Sequence, residues 1–242
     1  AGVPTLRLCG AVASPNSSRI GQDAAREGAA TGVTVTADAR TGLMNASVAI
    51  DFSLPQCVAA NARACVAGKV PLLVGTTGFD SAARAVLEAA AADIAVLIAP
   101  NTSTGVSVVA RLVELAARAL GAADVEIGEA HHRMKRDAPS GTAVALGQIV
   151  ARARGQRFED VAVFERHGSA ALRRAGDIGF SVVRAGDVVG EHTVTFALAG
   201  ERVEITHRAT DRITFARGAL RAAEWLAGRP PGLYTMDDVI DP

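Results

Sequence analysis

One short stretch of the sequence concentrates side chains that can bind anions and transfer protons. It places five potential cations within six residues: His131, His132, Arg133, Lys135 and Arg136. Such crowding creates positive potential where a small dianion could be held, and it lowers the proton affinities of the lysine and the histidines. The chemistry that this pattern favours is acid catalysis at neutral pH.

The residues that follow this cationic cluster are typical of the start of a helix. In the run Pro139-Ser140-Gly141-Thr142, proline suits a first helical turn, Ser140 or Thr142 can cap, and glycine permits close backbone approach. Free amide groups at the positive end of a helix dipole would bind a carboxylate. A basic run alone is as often a solvated surface, but its adjacency to this helix start favours a binding site. No third Cys, Asp or His stands at a spacing that would support a metal, so we expect none.

The elements that position this cluster are indicated by two different patterns of apolar and polar residues. The first hundred residues alternate short branched-aliphatic runs with alanine-rich ones, which predicts parallel strands joined by helices. Ligands collect at the carboxyl ends of such strands, so residues 53, 75–77 and 100–102 are candidate binding positions. We expect strands over residues 6–12, 47–52, 71–74 and 95–99, and helices over residues 56–67 and 81–90.

The second pattern begins after Thr104 and predicts a part of the chain that is richer in strands. A helix is expected over residues 106–120, and a strand over 125–130 leads into the cationic cluster. Runs over residues 180–184, 192–199 and 202–208 suggest an antiparallel or mixed sheet with one exposed face. A last helix over residues 213–227 ends at a run of glycines and prolines.

Composition limits the class of protein. Lys and Arg total 25 and so do Asp and Glu, which gives no bulk electrostatic reason to bind nucleic acid or an anionic membrane. Cys9, Cys57 and Cys65 lie in apolar surroundings, so we expect free buried thiols in a reducing compartment. The apolar runs are too short to span a bilayer, and no signal segment opens the chain. We expect a cytoplasmic protein.

Three ordered motifs resemble those of the dihydrodipicolinate reductase family. They are Val-Gly-Thr-Thr-Gly-Phe at residues 74–79, Ala-Pro-Asn at 99–101, and Glu-Ala-His-His-Arg-x-Lys-x-Asp-Ala-Pro-Ser-Gly-Thr-Ala at 129–143. The similarity continues to residue 239 and covers nearly the whole chain. It implies an NAD(P)H-dependent reduction of 4-hydroxy-tetrahydrodipicolinate to tetrahydrodipicolinate, in the diaminopimelate route to lysine.

The resemblance also implies a domain organisation. It predicts an α/β, Rossmann-like nucleotide-binding domain made of residues 1–103 and 213–242. Residues 104–212 would form an α+β domain with a mixed sheet that binds substrate and assembles a homotetramer. A small dicarboxylate is the expected ligand of that domain, and neither nucleic acid nor a membrane is an expected partner.

Site residues follow from the resemblance one position at a time. His131 matches the catalytic acid or base, and Lys135 matches the donor of the proton to the reduced substrate. Contacts with the substrate are implied for His132, Ser140, Gly141 and Thr142. Contacts with the cofactor are implied for Gly75, Thr76, Thr77, Ala99, Pro100, Asn101, Thr102 and Ser14.

The chain departs from the family pattern in two places. Members open with a strand, a Gly-x-x-Gly-Arg-Met-Gly-like loop and a helix, whereas this sequence resembles the family from its second strand onward, and we expect an incomplete chain. Residues 10–15 remain a possible degenerate phosphate loop, although they lack the second and third glycines. Residues 13–19, which include Ser14, carry no carboxylate for the adenosine ribose; their hydroxyls and Arg19 favour NADPH over NADH.

Two other functions compete with this hypothesis. A related dehydrogenase could reduce another amino-acid-derived imine, but the intact His-His-Arg-x-Lys and Ser-Gly-Thr elements argue against it. A fragment or non-catalytic homologue would bind dicarboxylate but not cofactor, and the missing glycine loop is its support.

Overall fold

The computed structural model describes residues 5–168 and 171–240. Their contacts divide the chain into two compact units. The first unit comprises Ala1–Thr102 and Phe215–Pro242, and the second comprises Ser103–Thr214. Buried apolar side chains form separate clusters within each unit, so each has a core of its own.

Eleven strands and eight helices lie within residues 5–168 and 171–240. The strands are β1 (Ala11–Val12), β2 (Val35–Thr36), β3 (Ala49–Asp51), β4 (Leu72–Val74), β5 (Ala95–Ile98), β6 (Asp124–His131), β7 (Ala162–Val163), β8 (Ile178–Arg184), β9 (Gly190–Leu198), β10 (Glu201–Ala209) and β11 (Gly232–Tyr234). The helices are α1 (Ala39–Leu43), α2 (Val58–Gly68), α3 (Ser81–Ala90), α4 (Thr104–Ala119), α5 (Gly141–Ala153), α6 (Phe158–Val161), α7 (Ile213–Leu226) and α8 (Met236–Ile240). A 3₁₀ turn, Pro55–Cys57, precedes α2.

The first unit contains a parallel four-stranded sheet in the order β11-β5-β4-β3. Its register places Asp51 beside Val74 and Val74 beside Ile98, so the carboxyl ends of β3, β4 and β5 meet at one edge. β1 and β2 pair in parallel as a separate two-stranded sheet. The parallel strands and their connecting helices confirm the predicted Rossmann-like class.

Local signals fix the two helices that cover this sheet. α3 begins at Ser81 because the carboxylate of Asp80 accepts a hydrogen bond from the backbone N–H of Ala83 at 2.8 Å. α2 ends where Lys69 takes a left-handed backbone conformation with φ of 52°. Their inner faces pack on the sheet, where Leu87 and Leu72 are almost completely buried. Burying a leucine in this way stabilises the fold by about 2 kcal/mol.

The second unit contains a mixed five-stranded sheet in the order β10-β9-β6-β8-β7. β6 lies in its centre, antiparallel to β9 and parallel to β8, which confirms the predicted mixed sheet. α4 and α5 pack on this sheet and on each other, and they bury Val113 and Leu146 with Phe196 of β9. Ser103 caps α4 by accepting from the backbone N–H of Val106 at 3.4 Å.

Several elements differ from the sequence prediction, and the short elements β2, α1, α6 and β7 were not predicted. The strand predicted over residues 6–12 is only the two-residue β1, because residues 6–10 join no ladder. β11 and α8 were not predicted, since the prolines and glycines at residues 228–232 indicated a break. β11 forms because it pairs with β5, so tertiary pairing determines it more than local composition does.

The cysteines correct one expectation. All three are free, and Cys65 is buried as predicted; burial raises the pKa of its thiol to about 12. The prediction of burial is wrong for Cys9, which is exposed, and for Cys57, which is half-buried. Within residues 5–168 and 171–240, no helix is long and apolar enough to cross a bilayer. The same residues hold no group of three or more His, Cys, Asp or Glu side chains placed to bind a metal.

Candidate active site

A buried carboxylate organises the polar residues at the end of β6. Both oxygens of Glu129 accept hydrogen bonds from the guanidinium of Arg184 at 2.7 Å. They also accept from His131 Nδ1 at 2.6 Å and from the backbone N–H of Ser140 at 2.9 Å. Burial alone would raise the pKa of Glu129, but these donors outweigh it and hold the pKa below its usual value. Glu129 is therefore an anion that fixes three neighbours.

His131 is a neutral imidazole with one committed nitrogen. Its Nδ1 donates to Glu129, so its Nε2 is the nitrogen left for a ligand. Gly190 leaves room for the ring, since a Cβ there would lie 3.0 Å from His131 Nε2. Burial lowers the pKa of His131, against the opposing effect of Glu129. The predicted direction is confirmed, but burial is a larger cause than the neighbouring cations.

Lys135 and His132 follow β6 and have different partners. Lys135 Nζ donates to both carboxylate oxygens of Asp137 at 2.8 Å, and this ammonium lowers the pKa of Asp137. His132 Nε2 lies 3.1 Å from Nη2 of Arg212. A guanidinium only donates, so His132 is the acceptor in this contact. Sequence reasoning gave no role to Arg184 or Arg212, because each is brought in from a distant segment.

The start of α5 lies beside these groups. Ser140 caps the helix by accepting from the backbone N–H of Ala143 at 3.2 Å, as predicted, whereas Pro139 precedes the cap and is outside the first turn. Ser140 is only 2% exposed, so its hydroxyl serves the protein interior. Gly141 is exposed and Thr142 is half-buried, and both lie in the first turn of α5.

The residues predicted to bind cofactor in the first unit lie mainly at the strand ends. The backbone N–H groups of Gly75 and Thr76 donate to the carbonyl of Asp51 at 2.8 and 3.1 Å. The backbone N–H of Ala99 donates to the carbonyl of Val74 at 2.9 Å. The loops after β3, β4 and β5 are thereby held at one sheet edge. A Cβ on Gly75 would overlap Phe52 Cε1, so a larger residue here would displace that exposed ring.

These strand-end residues differ in how far they reach the surface. Thr77 and Pro100 are exposed and Asn101 is half-buried. Thr102 is 2% exposed, and its hydroxyl donates to the carbonyl of Phe215 at 2.7 Å. Its side chain therefore anchors α7. Thr76 and Ala99 are also buried.

Ser14 stands apart from the other predicted cofactor residues. It follows β1, and its described hydrogen bonds are local, to Asn16 and Ser17. Arg19 Nη2 donates to the carbonyls of Asp23 and Ala25 at 2.6 and 2.9 Å, so this guanidinium organises its own loop. Residues 13–34, all described, form turns and bridges with no helix. The strand, loop and helix that a phosphate loop at residues 10–15 needs are therefore not formed.

Comparison with known proteins gives consistent matches over both units. The family model described as dihydrodipicolinate reductase, N-terminus, matches residues 2–102, and the one described as dihydrodipicolinate reductase, C-terminus, matches residues 105–240. A 4-hydroxy-tetrahydrodipicolinate reductase of Thiobacillus denitrificans is 53% identical over 235 residues, which are 96% of this chain and 88% of that protein. One of Alkalilimnicola ehrlichii is 51% identical over 236 residues, with the same coverage of both.

Among solved structures, the chain is similar to a dipicolinate-bound dihydrodipicolinate reductase from Paenisporosarcina sp. TG-14. The TM-score is 0.68 at 23% identity, over 87% of this chain and 80% of that one. At this identity the likeness supports the fold.

Proposed function

Because the chain belongs to the dihydrodipicolinate reductase family, as its motifs predict, we propose that it reduces 4-hydroxy-tetrahydrodipicolinate to tetrahydrodipicolinate with NAD(P)H. This reaction lies in the diaminopimelate route to lysine. The observation that carries the assignment of the site is the grouping of His131, Lys135 and the start of α5 at the end of β6. It combines a proton donor with an anion-binding helix terminus.

The second unit supplies the dicarboxylate site. The first-turn amides of Gly141 and Thr142 and the His132 side chain bind the carboxylates, because a helix N-terminus carries partial positive charge. Arg212, in contact with His132, adds a full positive charge close by. Glu129 compensates the charge of Arg184 and so leaves the cations nearer the surface to attract the substrate.

Lys135 provides the proton that completes the reduction. When bound, the nicotinamide cofactor supplies a hydride. Loss of the 4-hydroxyl group as water makes the carbon–nitrogen system of the substrate conjugated, and hydride addition to this system moves electron density to its far end, where the Lys135 ammonium protonates it. Neutral His131, held by Glu129, orients the substrate through its free Nε2, where it takes up a proton as a base and can return it as an acid.

The first unit supplies the nucleotide site. Three parallel strands end at one edge, with Thr77, Pro100 and Asn101 at or near the surface, which fits the usual position of nucleotides on such sheets. Gly75, Thr76, Ala99 and Thr102 shape these loops from within. Ser14 would reach the adenosine ribose. The absence of a carboxylate over residues 13–19 supports NADPH over NADH, although Arg19 is already engaged within its loop.

Assembly of the chain is a further part of the proposal. β8 and β10 expose the apolar side chains of Val182, Val183 and Val203. The homotetramer that the family resemblance implies, built through the sheets of the second unit, would cover exposed side chains of this kind. A cytoplasmic location stays a prediction.

Lys135→Ala tests the proton-transfer role. We expect kcat to fall by about a hundredfold or more, because the variant lacks the proton donor. The rate is followed as the loss of NADPH absorbance. Lys135→Arg keeps the charge but releases no proton at neutral pH, so kcat should be similarly low with a smaller change in substrate KM.

A matched control separates proton transfer from general charge loss. Arg118→Ala removes a cation from the outer face of α4, where the side chain is 65% exposed, and should leave kcat and KM unchanged. A wild-type kcat in Lys135→Ala would remove Lys135 from the mechanism.

A further inference from the structure

A buried histidine lies between two of the groups that the proposed function uses. His192 is on β9, directly opposite Glu129 of β6, and is 5% exposed. Its Nε2 is 2.9 Å from the hydroxyl oxygen of Ser140. Its ring packs edge-on against that of His131, with centroids 5.2 Å apart and an angle of 71° between the rings. His192 thus touches both the imidazole of the site and the cap of α5.

Ser140 is joined to His192 by a buried hydrogen bond. Its hydroxyl oxygen accepts from the backbone N–H of Ala143, and the same hydroxyl is hydrogen-bonded to His192 Nε2. This bond holds the hydroxyl in place with either the hydroxyl or the ring nitrogen as the donor. Burial, with a further contribution from His131, lowers the pKa of His192 to about 4, so the ring is neutral at neutral pH.

Ser140 is consequently held from two sides. Its backbone N–H donates to Glu129, and its hydroxyl is hydrogen-bonded to His192. The row of polar groups continues across the sheet, because His207 of β10 is the cross-strand partner of His192. His207 Nε2 lies 3.4 Å from the hydroxyl oxygen of Ser103, the residue that caps α4. The position of the first turn of α5 is therefore set by contacts to β6 and β9.

We propose that His192 is a positioning residue for the dicarboxylate site. By its hydrogen bond to the Ser140 hydroxyl it fixes the rotamer that caps α5, and so places the amides of Gly141 and Thr142. By packing against His131 it limits the orientation of that ring. The inference rests on the proposed function, because it assumes that these amides and His131 receive the substrate.

The test compares three substitutions at this position. His192→Leu fills a similar volume without an acceptor, so the dissociation constant of pyridine-2,6-dicarboxylate and the substrate KM should both rise about tenfold. The KM for NADPH should not change. His192→Gln carries a carbonyl oxygen near the position of Nε2 and should restore both constants to within about threefold. His192→Asn is too short to reach Ser140 and should behave like His192→Leu.

Val194→Ala is the matched control. Val194 lies two residues along the same strand, on the same face, and is fully buried. Its truncation should lower stability by packing loss alone and leave dicarboxylate binding unchanged. Calorimetric titration gives the dissociation constants, and circular dichroism checks that each variant is folded.

The outcomes distinguish two failures. Wild-type dicarboxylate affinity in folded His192→Leu would overturn the positioning role and leave the proposed function intact. Should that variant not fold, equal affinity in His192→Gln and His192→Asn would overturn the role equally. A wild-type chain that neither binds the dicarboxylate nor turns over would overturn the proposed function, and this inference with it.

Discussion

The ion pair between Glu129 and Arg184 is important for geometry more than for stability. Removing two charges from water costs about as much as their attraction returns, so a buried pair is weak evidence of a stability gain. The bidentate contact does, however, define the position of both Glu129 oxygens. Those oxygens also accept from His131 and Ser140, so one carboxylate sets the tautomer of the imidazole and the start of α5.

The buried histidines predict how stability depends on pH. Unfolded His192 binds a proton near pH 6.5, whereas the folded protein binds it only near pH 4. Between these values the unfolded state holds more protons, so the free energy of unfolding rises with pH. Over this whole pH range, the titration of His192 raises the free energy of unfolding by about 3 kcal/mol. Burial also lowers the pKa values of His131 and His207, which act in the same direction.

Urea unfolding between pH 4.5 and 7.5 measures this effect, in the wild-type chain and in His192→Gln, over roughly the window set by the two pKa values. The variant should show a shallower rise of stability with pH, because glutamine does not titrate. Carboxylates such as Glu129 and Asp137 contribute in both proteins and cancel in the comparison. Identical pH dependences would show that His192 does not carry a lowered pKa in the folded state.

Among the elements, the ends of β3 and β4 are joined by another buried carboxylate. Asp51 accepts from the hydroxyl of Thr76 at 3.0 Å, from the backbone N–H of Ser53 at 2.7 Å and from Asn61 Nδ2 at 3.0 Å. Its own carbonyl receives the N–H groups of Gly75 and Thr76. The conformation of the proposed cofactor loop after β4 thus depends on the last residue of β3.

Thr76→Val should weaken nucleotide binding without touching the dicarboxylate site. Valine keeps the shape but not the hydroxyl donor, so the free energy of unfolding should fall by about 1 kcal/mol and the dissociation constant of NADPH should rise about fivefold. Fluorescence titration measures the affinity. Ser81→Ala, at the exposed first position of α3, serves as the control. An unchanged NADPH affinity in Thr76→Val would show that the conformation of this loop does not affect cofactor binding.

Elements with strong local signals could be predicted from the sequence. α3 has the predicted bounds because Asp80 caps it and its apolar residues recur on one face. The core strands β4 and β5 are short branched-aliphatic runs and were placed to within one residue. β11 was missed because Gly-Leu-Tyr has no strand signal of its own and depends on β5.

The site was predictable where its residues are close in the chain. His131, His132, Lys135 and the start of α5 fall within one motif, and the fold keeps them together. The contributions of Arg184, His192 and Arg212 depend on β8, β9 and the segment before α7 crossing back to β6. No local pattern indicates such pairings. The burial of the Ser140 hydroxyl could not be predicted from the sequence for the same reason.

For the whole molecule, the two family models and the two compact units share one boundary: the models meet between residues 102 and 105, and the units meet between Thr102 and Ser103. The C-terminal model also covers residues 215–240, which the contacts assign to the first unit. The proposed nucleotide site belongs to the first unit and the proposed dicarboxylate site to the second. Because the proposed reaction needs both ligands, we expect turnover to require both units.

The decisive measurement is the rate at which this chain oxidises NADPH and NADH in the presence of 4-hydroxy-tetrahydrodipicolinate. We predict turnover that requires both ligands, is competitively inhibited by pyridine-2,6-dicarboxylate and is faster with NADPH. Calorimetric titration with each nucleotide and with the inhibitor accompanies the assay. Binding of the dicarboxylate without nucleotide binding or turnover would contradict the reductase assignment and identify a homologue that keeps only the substrate site.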